Sequence, residues 1–301
     1  EEVFNKIKAD FQALNAKSAY KEQNVSYIPL SALTGDNVVE TLGKMPWYTG
    51  QTILQHLEGL EPEDIYDNGQ ARFPVQTVIR PKTEEYHDFR GYAGKLYGNS
   101  IKVGDAVTVL PSLTESTVTN IHFFDQQFDE AGAGSSITIE LENDINVTRG
   151  DMIVKSSDIP KVSNNLSVMV VWMDETPMEL NQSYIIKRAT SVINGVFESI
   201  EFKKDINSFE EKKVESLELN DIAKCTISLD REIAVDPYYK NRYTGSFIII
   251  DKYSNNTLGA GMILESAISS TSKKTKQYTK AEIELNKYIR ENFPEWECKA
   301  I

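Results

Sequence analysis

The sequence predicts a mainly β protein: two β-barrels, preceded by an α/β segment and followed by a short C-terminal helix. Three observations predict it. Up to about residue 61 apolar residues recur at spacings of three and four, the helical period. From Phe73 onward, short β-rich runs are punctuated by Gly, Pro, Asn and Asp, the rhythm of small barrels. Finally, 301 residues suffice for two or three cores, since single cores stop growing near ~250–300 residues and domains cluster around ~100–150.

The elements follow in chain order. "EEVFNKIKADFQALNAK" places Phe4, Ile7, Phe11 and Leu14 on one face of a helix whose acidic start suits the helix dipole. "NVSYIPLSA" reads as a short apolar strand with Val25, Tyr27, Ile28 and Leu30. The turn "LTGDN" follows it. "GQTILQHLEGL" then gives a second helix with Ile53, Leu54, Leu57 and Leu60 inward. Residues 1–65 are too few for a sheet of their own and read as the end of an α/β domain whose other strands lie upstream.

Residues 70–158 hold the first β block: "FPVQTVI", "GYAGKLY", "AVTVLP", "STVTNIHFF", "SITIEL" and "DMIV". "GNSIKVGD" and "VTRGD" supply glycines where tight turns need positive φ. "SSDIPKVSNN" reads as a linker. Residues 162–268 hold the second block: "LSVMVVWM", "SYIIKRAT", "SVINGVFESIEF", "DIAKCTISL", "EIAVDPY" and "GSFIIID" with "TLGAGMIL". Residues 269–301 combine a polar, mobile tail, "SSTSKKTKQ", with a docking helix. Thr279 and Glu282 form its capping box, and Leu285, Ile289, Phe293 and Trp296 its apolar face.

Composition narrows the function. Apolar content of 40% and charged content of 26% are globular values. With 32 basic and 45 acidic residues the net charge is −13, which repels phosphate backbones and disfavours broad nucleic-acid binding. Cys225 and Cys298 lie far apart without metal-ligand spacing and read as idle thiols of a reducing cytosol. Asn146 and Asn165 begin glycosylation-type triplets, but no secretory signal opens the chain, so they read as chance. No apolar run approaches the ~20 residues of a membrane span. A soluble, cytoplasmic protein is expected.

Enzyme signatures are sparse. His56, His87 and His122 are scattered, and His56 beside Leu57 reads as a packing or surface residue. No G-x-S-x-G elbow occurs. Glu84 and Glu85 read as a solvated turn. "GAGSS" (132–136) lacks the Lys and hydroxyl of a phosphate-binding loop and precedes a strand, so a hairpin turn is expected there. "NKIKAD" (5–10) has Lys8 where a guanine-reading N-K-x-D box needs Asp. No catalytic residue and no metal site are expected within this chain.

One motif remains. Ser31, Ala32 and Leu33, at the end of the expected strand, resemble the fifth box of translation-factor-type GTPases. A small residue there lets a backbone N–H approach the guanine O6, and a serine hydroxyl can brace the neighbouring loop. The continuation "GDNVVETLGKMPWYTGQTILQHLEGL" resembles the last part of such a GTPase domain. "HDFRGYAGKLYGNSIKVGDAVTVLPS", "NDINVTRGDMIV", "NRYTGSFIIIDKYSNNTLGAGMI" and "IRENFPEW" resemble one branch, the large GTPase subunit family of two-subunit bacterial sulfate adenylyltransferases. The resemblance covers nearly the whole chain.

It implies barrels like the second and third domains of translation factors, behind the C-terminal remnant of a P-loop GTPase domain. It also implies guanine contacts at Ser31, Ala32 and Leu33, GTP and Mg as cofactors of the full-length protein, and a small catalytic adenylyltransferase subunit as partner. The phosphate cradle, switch segments and N-K-x-D box are not in this chain, so these residues alone are expected neither to bind GTP usefully nor to hydrolyse it. Residues alone lead only to the tail of an α/β domain and two barrels. That leaves two rivals: an elongation-factor-like, tRNA-binding translation GTPase, and a purely structural barrel pair.

Overall fold

The computed structural model describes residues 1–16, 25–61, 70–81, 89–124 and 126–266, together with Asn286 and Tyr288. The calls on His87, Glu84, Glu85, Cys298, the polar tail and the C-terminal capping box and apolar face lie outside the described residues.

The first helix, α1 (Glu2–Asn15), forms where the apolar spacing places it. Its aromatic residues hold it: Phe4 meets Trp47 and Tyr48 at 5.2 and 6.4 Å between ring centroids, and Phe11 meets Tyr27 at 6.0 Å. Such tilted and edge contacts add to the area they bury. α2 (Ile53–Glu58) starts at a capping box, in which Thr52 Oγ1 accepts from the Gln55 amide and Gln55 Oε1 accepts from the Thr52 amide.

Two expectations fail in this segment. Residues 25–30 form no strand; Ser31 only bridges Asp36. A strand is defined by its neighbours, and no described strand pairs with these residues. The inward face expected for α2 is open too, with Leu54, Leu57 and Leu60 all exposed.

The first barrel is built from β1 (Arg72–Ile79), β2 (Gly91–Lys95), β3 (Ile101–Lys102), β4 (Ala106–Leu110), β5 (Thr114–Phe123), β6 (Gln126–Phe128), β7 (Glu130–Ala131), β8 (Ser136–Leu141) and β9 (Met152–Lys155). Six of them run β4-β9-β1-β2-β8-β5, and β4 pairs with β5 to close the ring; β6 extends β5, and β3 pairs with β7 apart from it. Closure leaves the ring without open edges. Phe73, Val75, Tyr92, Ile121 and Ile139 fill its interior. "GAGSS" is a turn, with Gly134 at φ +85°, but no hairpin: β7 pairs with β3, while β8 lies between β2 and β5.

The second barrel follows at once. β10 (Lys161–Trp172), β11 (Ser183–Arg188), β12 (Ser191–Lys204), β13 (Glu211–Lys212), β14 (Ile222–Val235), β15 (Ser246–Ile250) and β16 (Thr257–Ser266) form it. Its ring runs β11-β15-β16-β10-β14-β12 and closes through β11–β12, with β13 extending β12. Alternation drives it: in β14, Ala223, Cys225, Ile227 and Leu229 face the core and their neighbours do not. Trp172 anchors one end, donating its indole N–H to the Thr176 carbonyl at 2.8 Å and meeting Tyr184 edge-on. The expected linker is shorter than read, because Lys161–Asn165 already pair with β14. "DIAKCTISL" and "EIAVDPY" merge into one long strand, since β14 continues past Leu229 to pair its Ile233–Val235 with the start of β10.

Candidate functional site

Ser31, Ala32 and Leu33 begin a tightly bonded loop. The Ser31 amide donates to the Asp36 carbonyl at 3.0 Å and the Gly35 amide donates to the Ser31 carbonyl at 2.8 Å. Thr34 Oγ1 donates to Ser31 Oγ at 2.9 Å. Gly35 at φ +75° and Asn37 at φ +59° turn the chain, conformations that suit these two residue types.

Asp36 and Asn37 are buried and act as struts. Asp36 Oδ1 accepts from the Leu42 amide at 2.6 Å, and Asn37 Nδ2 donates to the Pro29 carbonyl at 2.9 Å. The Asn37 and Val38 carbonyls accept from the Ile53 and Leu54 amides, joining the loop to the start of α2. The tip stays open: Ala32 is exposed and Leu33 is 96% exposed. Among the described residues, neither the Ala32 nor the Leu33 amide donates a hydrogen bond. The loop therefore offers free backbone donors beside a small side chain on a braced support.

The second constellation lies where the barrels meet, and the sequence reading missed it. Arg72, 1% exposed at the start of β1, sends Nε to both Asp236 carboxylate oxygens at 3.1 Å. Its Nη1 reaches the Asp158 carboxylate at 3.1 Å and the carbonyls of Asp158 and Ala71 at 3.2 and 3.0 Å. Thr244 Oγ1 donates to Asp236 Oδ2 at 2.6 Å, and Arg188 Nε donates to the Thr244 carbonyl. Burial, partly offset by Asp236 and reinforced by the like charge of Arg72, lowers the Arg188 guanidinium to about 10. It remains a cation at neutral pH.

Around this polar knot the joint is apolar. Leu110, Met152 and Val154 of the first barrel cluster with Ala234 of the second. Tyr97 stacks on Tyr243 with centroids 4.3 Å apart. Ser191 Oγ donates to the Gly150 carbonyl at 2.7 Å, across a backbone at φ +98° where a Cβ would meet the serine. These contacts hold the barrels together; none places a nucleophile beside a base.

His56 sits on α2 and His122 pairs with Glu140 on the first barrel. Cys225 is buried in the second barrel core, and desolvation raises its thiol to about 12, which leaves it unreactive. Among the described residues no group of three or more His, Cys, Asp or Glu is placed to hold a metal ion. No described helix is long and apolar enough to cross a membrane.

Two closed barrels with this order of strands, behind a helix-loop-helix segment, define a fold class, the paired β-barrel module. Residues 165–264 match the GTP-eEF1A C-terminal domain-like family. Solved structures of sup35 complexed with GDP and with GMPPNP superpose with a TM-score of 0.60 at 18% identity. They cover 87% and 89% of this chain and 65% of theirs, a likeness of fold.

Within that class the chain is similar to sulfate adenylyltransferase subunit 1. It is 46% identical to that subunit of Sulfurovum sp. (strain NBC37-1), 42% to that of Aliarcobacter butzleri and 39% to that of Teredinibacter turnerae. Each match covers 100% of this chain and 64%, 63% and 63% of the relative. The chain thus spans somewhat under two thirds of the length of these curated relatives.

Proposed function

We propose that the full-length protein is the large, regulatory GTPase subunit of a sulfate adenylyltransferase, working with a small catalytic subunit. The observation that carries this reading is the similarity of all 301 residues to subunit 1 sequences at 39–46% identity. In the reaction, a sulfate oxygen attacks the α-phosphorus of ATP and the bond to pyrophosphate breaks, giving adenylyl sulfate and pyrophosphate. The product is a high-energy mixed anhydride, so the step runs uphill. Hydrolysis of GTP to GDP and phosphate, coupled to it, draws it forward.

In this scheme the present residues recognise and transmit. The Ala32 amide, beside a side chain too small to block approach, would meet the guanine carbonyl, with Ser31 bracing the loop and the exposed Leu33 beside the base. GTP supplies the hydrolysable anhydride when bound, with Mg to neutralise its phosphates, and neither phosphate nor Mg is assigned a ligand in this chain. The barrels, locked to each other through Arg72 and Asp236, would move as one body against the nucleotide-dependent switches. The residues of this chain alone would be inactive, and the cytoplasm is the proposed compartment.

The test uses the tagged full-length protein isolated from its own cells. A co-purifying adenylyltransferase, with sulfate-dependent, GTP-stimulated formation of pyrophosphate from ATP, is expected. Co-purifying tRNA without that activity would replace the proposal with the translation-factor reading. For the loop, Ala32→Leu in the full-length protein should weaken GTP binding by about tenfold or more, through loss of one amide contact to the base and a steric clash. Unchanged affinity would remove Ala32 from the guanine site.

A further inference from the structure

Two buried donors of the second barrel have no acceptor. Arg188, at the end of β11, is 4% exposed. Among the described residues its side chain makes one hydrogen bond, from Nε to the Thr244 carbonyl; the buried Nη2 meets no partner. Asn241, 1% exposed, lies in the turn between β14 and β15. Its Oδ1 accepts from the Tyr243 and Thr244 amides, both at 3.1 Å. Those two bonds settle which end of the amide is oxygen, so the buried, unpartnered Nδ2 is a donor. The turn cannot shift to supply an acceptor. The Asn241 amide donates to the Pro237 carbonyl at 3.1 Å and the Gly245 amide to the Asn241 carbonyl at 2.8 Å. A Cβ on Gly245 would stand 2.6 Å from that carbonyl and from the Tyr238 backbone. Both side chains are thus held on one residue, Arg188 on the Thr244 carbonyl and Asn241 on the Thr244 amide.

Charge says what these donors take. The ionised side chains buried at the joint are Arg72, Arg188 and Asp236, two cations against one carboxylate. That carboxylate is already engaged, both oxygens by Arg72 and Oδ2 also by Thr244. Asp158, 39% exposed, faces Arg72 and Gln70. Arg188 lies in the field of Asp236 without a carboxylate in hydrogen-bond contact. A buried charge is tolerated when it is both paired and hydrogen-bonded. Water would satisfy the N–H groups and leave the charge; an anion answers both needs. Neither Nη2 nor Nδ2 is open to solvent, so the anion that fits is a single atom.

We propose that Arg188 Nη2 and Asn241 Nδ2 share a buried halide, chloride in the cell. The site stands independently of the function proposed above. Because Thr244 also holds Asp236, the partner of Arg72, chloride steadies the turn that carries the second barrel's half of the joint.

The experiment follows amide exchange at Tyr243 and Thr244 in the full-length protein as chloride is raised to about 100 mM, with ionic strength held constant by methanesulfonate, an anion too large for the site. Exchange should slow saturably, by about tenfold or more. Bromide should act alike and give an anomalous peak beside Arg188 in crystals. Asn241→Asp keeps the oxygen that holds the turn and sets a carboxylate next to Arg188. Its turn should be protected without chloride, and the chloride response should vanish. Arg188→Met removes the charge and should lose the response too; if that variant does not fold, Asn241→Asp decides. Exchange indifferent to chloride in the parent, or an equal response in Asn241→Asp, overturns the site. A bromide peak without any chloride effect on exchange marks an adventitious ion only, and overturns it as well.

Discussion

Arg72→Ala should do more damage than any other single change at the joint. The side chain is 1% exposed and makes five contacts, two to Asp236 and three to Asp158 and Ala71. Its loss leaves the Asp236 carboxylate, only 3% exposed, with Thr244 Oγ1 as its remaining side-chain donor among the described residues. Removing one member of a buried ion pair costs ~3–5 kcal/mol, chiefly because the other charge stays behind unpaired. Asp158 is 39% exposed and can turn to water, which reduces its share of the loss. The lower end, about 3 kcal/mol, is therefore expected. Equilibrium urea unfolding, followed by circular dichroism and by fluorescence of the buried Trp172, reads the effect. The parent should unfold its barrels together; Arg72→Ala should separate the transitions and shift the first to lower urea. Adding Asp236→Asn to Arg72→Met should recover most of the loss, because an apolar replacement without a stranded charge is near neutral. A single unshifted transition for Arg72→Ala, within about 1 kcal/mol of the parent, would refute the idea that this ion pair couples the barrels.

Three further outcomes are expected. Cys225 should resist a thiol reagent at pH 8 in the native protein and react once unfolded. Its folded pKa is raised to about 12 from 9.0, so its contribution to stability is intact below pH 9 and falls as pH rises toward 12; denaturant titrations at pH 8 and pH 10 check the sign. Gly261→Ala should destabilise the second barrel by about 1–3 kcal/mol, since the new methyl overlaps the Phe247 ring, and a melting curve unchanged from the parent would contradict that packing. Thr52→Ala should cost about 1 kcal/mol locally by removing the α2 cap, raising amide exchange at Gln55 while β14 stays protected.

The barrels were legible because their strands alternate. "DIAKCTISL" and "SVINGVF" place every second residue in the core, so the pattern itself locates the elements. The N-terminal strand was misread for a related reason: "NVSYIPLSA" carries the apolar content of a strand, but pairing depends on neighbours that a local pattern does not contain. The guanine site proposed at Ser31 rests on resemblance to a family motif, and the Ala32 amide's lack of a partner among the described residues is a matter of backbone geometry that no residue type announces. The joint was missed outright. Its members, Arg72, Asp158, Arg188, Asp236 and Thr244, are scattered along the chain, and each alone reads as an ordinary solvated side chain. A signal was present in one place. Arg188 continues the series Tyr184 and Ile186 at the core-facing period, where a cation demands an explanation.

The apolar side of the joint also sets a timetable for synthesis. Leu110, Met152 and Val154 are complete with the first barrel, yet Ala234 closes over them from a strand roughly 80 residues downstream of Lys155. At ribosomal speeds of ~5–20 residues per second that interval lasts about 4–16 s. For that time the nascent first barrel carries a bare apolar face and an Arg72 that has Asp158 but not yet its buried partner Asp236. A chaperone that shields this patch, or a slow stretch of message within the second barrel, would act on the yield of the protein without touching the stability of the finished fold.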